Sequence, residues 1–222
     1  MIHLPPSLDH LSCSSWLIYA TRSESENARR IRALIVDIKE DRIDPKTRRP
    51  LSAVAIERAA QLGGSVASAP FEGDPMLVPV PGSGLTKPNT VWSARRLCEE
   101  LVRQGLGADV LDIVRRTTAV EKSAGNRRRP TLDQHCDSFT VRPRLAPPAR
   151  LVLVDDVVTT GTTLMACARQ LAAALPGVPV SAFALARVQS TGDPGRVFSP
   201  LKELISISGD RCVRGAAPLS NE

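Results

Sequence analysis

The sequence predicts an α/β protein of three layers, built on a mostly parallel sheet, with an added helical segment at the amino terminus. Three observations carry this expectation. Beyond Met76, short apolar runs alternate with stretches of helical period, in the order strand, helix, strand, loop, strand, helix, strand. That rhythm belongs to a parallel sheet with helices on its faces. The runs MLVPV, LVLV and VSAFALARV are almost uninterruptedly apolar, as expected of strands covered on both sides. Ahead of them, the front third carries apolar residues at helical spacing. A length of 222 residues suits one domain with extra elements.

Taken in order, the first dozen residues have little pattern and read as a flexible arm. In SESENARRIRALIVDIKEDRI, residues Ile31, Leu34, Ile35 and Ile38 recur at helical spacing with Arg, Lys and Glu between them. Ser23 or Ser25 suits the cap, because acids follow. DPKTRRP breaks that helix, and LSAVAIERAAQLG forms a second one that ends at Gly63-Gly64. Residues 1–70 are therefore expected as a helical accessory or hood segment, 71–190 as the core and 191–222 as a C-terminal extension.

At Met76 a buried strand enters a tight Pro/Gly loop. The following helix, PNTVWSARRLCEELVRQG, takes its apolar stripe from Trp92, Leu97, Leu101 and Val102 and stops at Gly105. A short strand, DVLDIV, covers 109–114. A polar, basic stretch follows, and near its end His135, Asp137 and Ser138 either close onto a ligand or begin a return strand. After the joint RPRLAPPAR come the strand LVLV, an acidic turn, the helix TTLMACARQLAAAL and the strand VSAFALARV.

The composition narrows the function. Aromatics make up 3% of the chain, which argues against a single-stranded nucleic-acid binder built on stacking platforms. The five cysteines form no CxxC pair, and the three histidines are far apart, so a zinc ribbon is not expected. The start lacks a secretory pattern, and no run is long enough to cross a membrane. The reading is cytoplasmic, with reduced thiols. A net charge of +6 and a pI of about 9.4 suit either nucleic acid or a small polyanion.

The stretch LVLVDDVVTTGTTL, from Leu151, carries the sharpest chemistry. A Thr or Asp ahead of a helix is usually a cap, but a cap needs only one acid. Two adjacent carboxylates at a buried strand end repel each other by about a few kcal/mol at intermediate dielectric. Beyond them, Gly161 permits a tight turn. The first amides of the next helix make an anion site, to which Thr159, Thr160, Thr162 and Thr163 add hydroxyl donors. No GxxxxGK is present, so this is not a Walker loop. A ligand that fits both halves has a phosphate for the turn and vicinal hydroxyls for Asp155 and Asp156. Carboxylates of this kind also help to hold hydrated Mg²⁺.

This run resembles the phosphoribosyl pyrophosphate (PRPP) motif of the type I phosphoribosyltransferases, and the order of the core, roughly residues 74 to 188, looks most like their ComF-like branch. The resemblance implies the fold of that family, Mg²⁺–PRPP as ligand, and transfer of the phosphoribosyl group to a nitrogen nucleophile with release of pyrophosphate. It assigns the ribose hydroxyls to Asp155 and Asp156, and the 5-phosphate to Thr159, Thr160, Gly161, Thr162 and Thr163. It assigns pyrophosphate to the loop Pro81, Gly82, Ser83, Gly84, Leu85, Thr86 and Lys87. The stretch from Arg115 to Arg129 takes the place of the mobile catalytic loop, with Arg115, Arg116, Lys122, Arg127, Arg128 and Arg129 as candidate cations. Of these, Arg115 and Lys122 join the two acids as the catalytic set.

The chain also departs from that pattern. The cysteine-rich front segment common in ComF-like proteins is missing, and the basic loop differs in sequence, so the resemblance leaves the acceptor base or nucleotide unnamed. Some members of the family sense PRPP or nucleotides without turnover, and the sequence does not separate the two. Many dimerise, and the front helices offer apolar faces for a homodimer. RRR and the pI suit nucleic acid as an accessory partner, in a competence or defence role, but no helix-turn-helix, zinc-finger or aromatic-rich signature accompanies them.

Overall fold

The computed structural model describes residues 8–84, 92–120, 130–142, 146–190 and 195–216. One seven-stranded sheet organises them, in the order β3-β2-β6-β7-β1-β8-β9. Its strands are β1 (His10–Ala20), β2 (Met76–Pro79), β3 (Asp109–Val110), β6 (Leu151–Val158), β7 (Val180–Gln189), β8 (Phe198–Ser208) and β9 (Arg211–Ala216). β3, β2, β6, β7 and β1 run parallel, whereas β8 and β9 join antiparallel at the β1 edge. A separate ribbon pairs β4 (Val114–Arg116) with β5 (Phe139–Val141). The expected class, a three-layer α/β protein on a mostly parallel sheet, is the one adopted.

The pleat sorts side chains onto two faces. Leu151 and Leu153 of β6 pack with Ala182 and Ala184 of β7 against Leu164, Cys167 and Leu171, which belong to α5 (Thr162–Ala174). Val152 and Val154 pack with Phe183 and Leu185 on the other face. There they meet Ile31 and Ile35 of α1 (Glu26–Lys39), Ile56 of α2 (Leu51–Ser68) and Leu97 and Leu101 of α3 (Ser93–Arg103). Ser25 caps α1, its hydroxyl accepting from the Ala28 amide at 3.1 Å. α2 bends at Gly64 (φ +49°) and runs on to Ser68 rather than stopping at the glycine pair.

Three expectations are corrected. The front is not wholly helical, and the part of the expected arm within the described residues, from Leu8 on, is no loose arm: β1 lies inside the sheet, parallel to β7 and antiparallel to β8. Arg169 holds its approach through the Leu8 carbonyl and the Asp9 carboxylate, both at 3.0 Å. The strand is hard to read because serines alternate with Leu11 and Cys13, which weakens the apolar signal of a covered strand. DVLDIV is only partly a strand, with β3 ending at Val110 and the chain then leaving for β4. Lastly, a short helix, α4 (Leu132–Asp137), precedes the return strand β5. Its start is a reciprocal capping box between Thr131 and Gln134, a T-x-x-Q signature present in the sequence. The segments expected as front, core and extension all contribute strands to the one sheet.

Candidate functional site

The pleat of β6 decides where the two acids go. Asp155 lines a recess together with His135, Thr159, Thr160, Gly161, Thr162, Thr163 and Arg211. Asp156 instead takes partners from the α1–α3 layer: Ser93 Oγ donates to it at 2.6 Å, and Lys39 Nζ lies 3.3 Å away. Neighbouring carboxylates on a strand point to opposite faces, which lowers the repulsion expected of them side by side. Lys39 ends α1, so the front helices reach the acid pair. Neither Lys39 nor Ser93 stands out in the sequence, since nothing local marks a helix-end lysine or an N1 serine as a neighbour of residue 156.

Asp155 is strongly perturbed. Burial, then the Asp156 charge, raises its carboxyl to about 8, against the opposing pull of the Asp156 amide, Lys39 and Arg116. That amide donates to Asp155 Oδ1 at 2.8 Å. His135, buried in the recess wall, is driven down to about 4 by burial and by Arg116. The recess therefore pairs a carboxyl that resists ionising with an imidazole that stays neutral at pH 7.

Of the two adjacent arginines, the structure brings Arg116 and not Arg115 to Asp155. Arg115 donates to Asp112 at 2.7 Å and sits over the Trp92 ring at 5.8 Å. Arg116 is buried, its guanidinium 4.0 Å above the Phe139 ring. It donates from Nε to the Gly82 carbonyl and from Nη1 to Ser138 Oγ. Its Nη2, like His135 Nδ1, is buried with no hydrogen-bond partner among the described residues. Alternation along β4 sends 115 and 116 to opposite faces, and sequence alone cannot say which face meets β6. Arg116 also fastens the loop after β2, and the Val120 amide adds a second tie to the Ser83 carbonyl at 3.0 Å. A Cβ on Gly82 or Gly84 would meet nothing within 4 Å. Internal packing among the described residues therefore does not explain those glycines, whereas close approach by a ligand would.

The turn after β6 is shaped by the chain's last hairpin. Gly161 takes φ +89° at the head of α5, and no side chain caps that helix, so its first amides are left without a side-chain acceptor. Arg214 Nε donates to the Thr159 carbonyl at 2.5 Å. The Cys212 amide donates to Thr162 Oγ1 at 3.3 Å, and that oxygen lies 3.0 Å from Thr160 Oγ1. Thr162 is thus partly spent on holding the turn. Arg211, 47% exposed at its side chain, brings a cation to the recess. No local pattern in the sequence announces it, because its place follows from β9 folding back over the turn. The cavity measures about 70 Å³.

Lys87, Leu85 and Thr86 of the first loop, and Lys122, Arg127, Arg128 and Arg129 of the basic loop, lie outside the described residues. His135 and Ser138 fall at α4 and its end, with β5 starting at Phe139. No group of three or more His, Cys, Asp or Glu suited to a metal occurs among the described residues. With one carboxylate on each face, the donor set suits magnesium only as the companion of a phosphorylated ligand that brings its own oxygens.

The fold and site define an α/β protein with a recess at the carboxyl end of a parallel strand, where open sheets of this kind bind ligands. No family model matches the sequence, and no curated protein is significantly similar to it. Among solved structures, the chain is similar to a hypoxanthine phosphoribosyltransferase from Staphylococcus aureus in two crystal forms. The tetragonal form gives a TM-score of 0.35 at 10% identity, over 62% of this chain and 74% of that one. The orthorhombic form gives 0.32 at 11%, over 73% and 77%. At that distance the similarity leaves the function to the site itself.

Proposed function

We propose that the chain is a phosphoribosyltransferase-type protein that binds Mg²⁺–PRPP and passes the phosphoribosyl group to a nitrogen nucleophile, releasing pyrophosphate. The observation that carries this reading is one recess shared by Asp155, the uncapped start of α5 and the TTGTT turn. The α5 amides, the threonine hydroxyls and Arg211 hold the 5-phosphate. Asp155 meets the ribose hydroxyls, accepting when ionised and donating when protonated. Asp156 reaches the same sugar from the other face by exchanging Lys39 for a hydroxyl.

Pyrophosphate rests on the small residues Pro81, Gly82, Ser83 and Gly84, with Lys87 adding charge. Lys122, Arg127, Arg128 and Arg129 supply cations for it, with Arg115 ahead of them in the basic stretch. Breaking the anomeric bond leaves positive charge on the sugar and extra negative charge on the leaving group, and placed cations lower that barrier. Magnesium bound with the ligand supplies the same screening of phosphate charge. Excluding water protects the reactive sugar from hydrolysis.

Isothermal titration with PRPP and Mg²⁺ tests the reading. Saturable binding that is lost in Asp155→Ala supports it; no binding of PRPP or of any nucleoside monophosphate sinks it. A second reading, a PRPP or nucleotide sensor without turnover, draws on the commitment of Asp156 to Ser93 and Lys39, which leaves one acid for the sugar. Pyrophosphate release across a panel of bases separates the two.

A further inference from the structure

A second cavity, of about 510 Å³, opens at the other end of the sheet. It lies where β1 and β7 begin and just before β6, far along the strands from the recess at Asp155. Its volume is within the range of roughly 300–1,000 Å³ typical of small-molecule sites. The floor is the face of the sheet that α1 and α2 cover only in part. There Ser12 and Ser14 of β1 and Ser181 of β7 stand where a covered strand would carry apolar side chains. Three half-buried serines on one face of interior strands build no core.

The surrounding groups are rich in donors. Arg150 gives its guanidinium to the carbonyls of Glu72 and Pro70, at 2.7 and 3.1 Å, and to Ser181 Oγ at 3.3 Å. Lys202, opposite Ser14 in the β1–β8 register, is exposed. Neither cation forms an ion pair among the described residues, and Glu72 is the single acid of the lining. Trp16, 1% exposed, stands at the inner end. Its indole N–H is buried without an acceptor among the described residues, an expensive state for a donor unless something supplies one. T-shaped contacts with Phe183 at 4.7 Å and Phe71 at 6.0 Å hold the ring in place. On the outer rim Val66 of α2 is 61% exposed, an apolar complement to the polar floor.

We infer that this cavity is a second ligand site, for a small organic anion with an apolar body. Its phosphate or carboxylate head meets Arg150, Lys202 and the serine hydroxyls. Its body lies against Val66 and the indole. The site is independent of the sugar-phosphate recess, and failure of either reading leaves the other standing.

The test uses the full chain and the ¹H–¹⁵N signals of its two indoles, those of Trp16 and Trp92. Phenyl phosphate and benzoate probe the two head groups, inorganic phosphate the bare ion, and benzyl alcohol the body without charge. Saturable movement of the Trp16 indole by either aryl anion is expected, and which one acts identifies the head group. In Lys202→Glu, whose exposed position leaves the fold intact, the binding constant should weaken about tenfold, the scale of one charge-assisted contact. Ser14→Leu, which fills the floor, should abolish binding. The inference is overturned if neither aryl anion moves Trp16, if inorganic phosphate or benzyl alcohol binds as well as they do, or if both variants bind like the parent chain.

Discussion

A Cβ built on Gly161 would stand 2.6 Å from Cδ1 of Ile205. The turn that heads α5 and the strand β8 therefore touch so closely that only glycine fits, and φ +89° at Gly161 asks for glycine independently. Gly161→Ala should cost about 1–3 kcal/mol for the backbone alone, with more from the clash with fully buried Ile205. Urea denaturation measures the loss. Because the amides of α5 shift with the turn, PRPP affinity should fall by more than stability explains. Unchanged affinity in the folded fraction would separate the turn from the ligand.

Asp155 and His135 tilt the stability curve in opposite directions. The carboxyl rises from 3.8 to about 8 on folding, so the folded state keeps a proton that the unfolded state has lost. Its contribution worsens as pH rises through that window and then levels off. The imidazole falls from 6.5 to about 4, so its contribution worsens as pH falls through its own window. Between about 4 and 6.5 the two oppose each other; from there to about 8 only Asp155 acts. Asp155→Asn should gain stability relative to the parent chain as pH is raised from 4 to 8. His135→Gln should expose the falling slope already near pH 5. Thermal melts across pH decide both, and parallel curves for parent and variants would refute the assignment.

Arg116 joins the loop after β2 to the β4–β5 ribbon through Gly82 and Ser138. Arg116→Met keeps the stem over Phe139 but removes the donor to the exposed Gly82 carbonyl and to the buried Ser138 hydroxyl, a loss of about 1–3 kcal/mol set by the buried Ser138 acceptor. Arg116→Lys should recover little, because one ammonium cannot span the fork of a guanidinium. Equal stability of the lysine variant and the parent chain would show that charge alone matters there.

Arg211 is exposed enough to be dispensable for folding. Arg211→Ala should change stability by no more than about 0.5 kcal/mol, yet weaken binding of PRPP about tenfold by removing a charge-assisted contact to phosphate. Arg214→Ala differs, since Arg214 ties together Thr159, Val188 and Glu203 and its loss should destabilise the hairpin as well. Calorimetry of both variants beside their melting curves distinguishes the two roles.

The legible parts of the chain were those whose signal is local. Periodicity marks α1, α3 and α5. Unbroken apolar runs mark β2, β6 and β7, and Gly105 and Gly161 mark a helix end and a turn. β1 was not legible, because its serines mimic a loop and its partners lie nearly 170 residues or more further along the chain. α4 is marked locally by its capping box alone, because six residues carry no periodicity. At the site, the acids and the threonine turn stand together in sequence, whereas Lys39, Ser93 and Arg211 arrive from three distant elements.

By itself, then, the sequence determined an α/β sheet, a strand that ends in two acids and a glycine turn that opens a helix, since each depends on neighbours within a few residues. Tertiary structure alone decided which acid faces the turn, which of two arginines faces that acid, and that the final hairpin supplies the recess with its cation. The pleat makes adjacent residues opposites, and only the packing of distant strands says which side faces the recess.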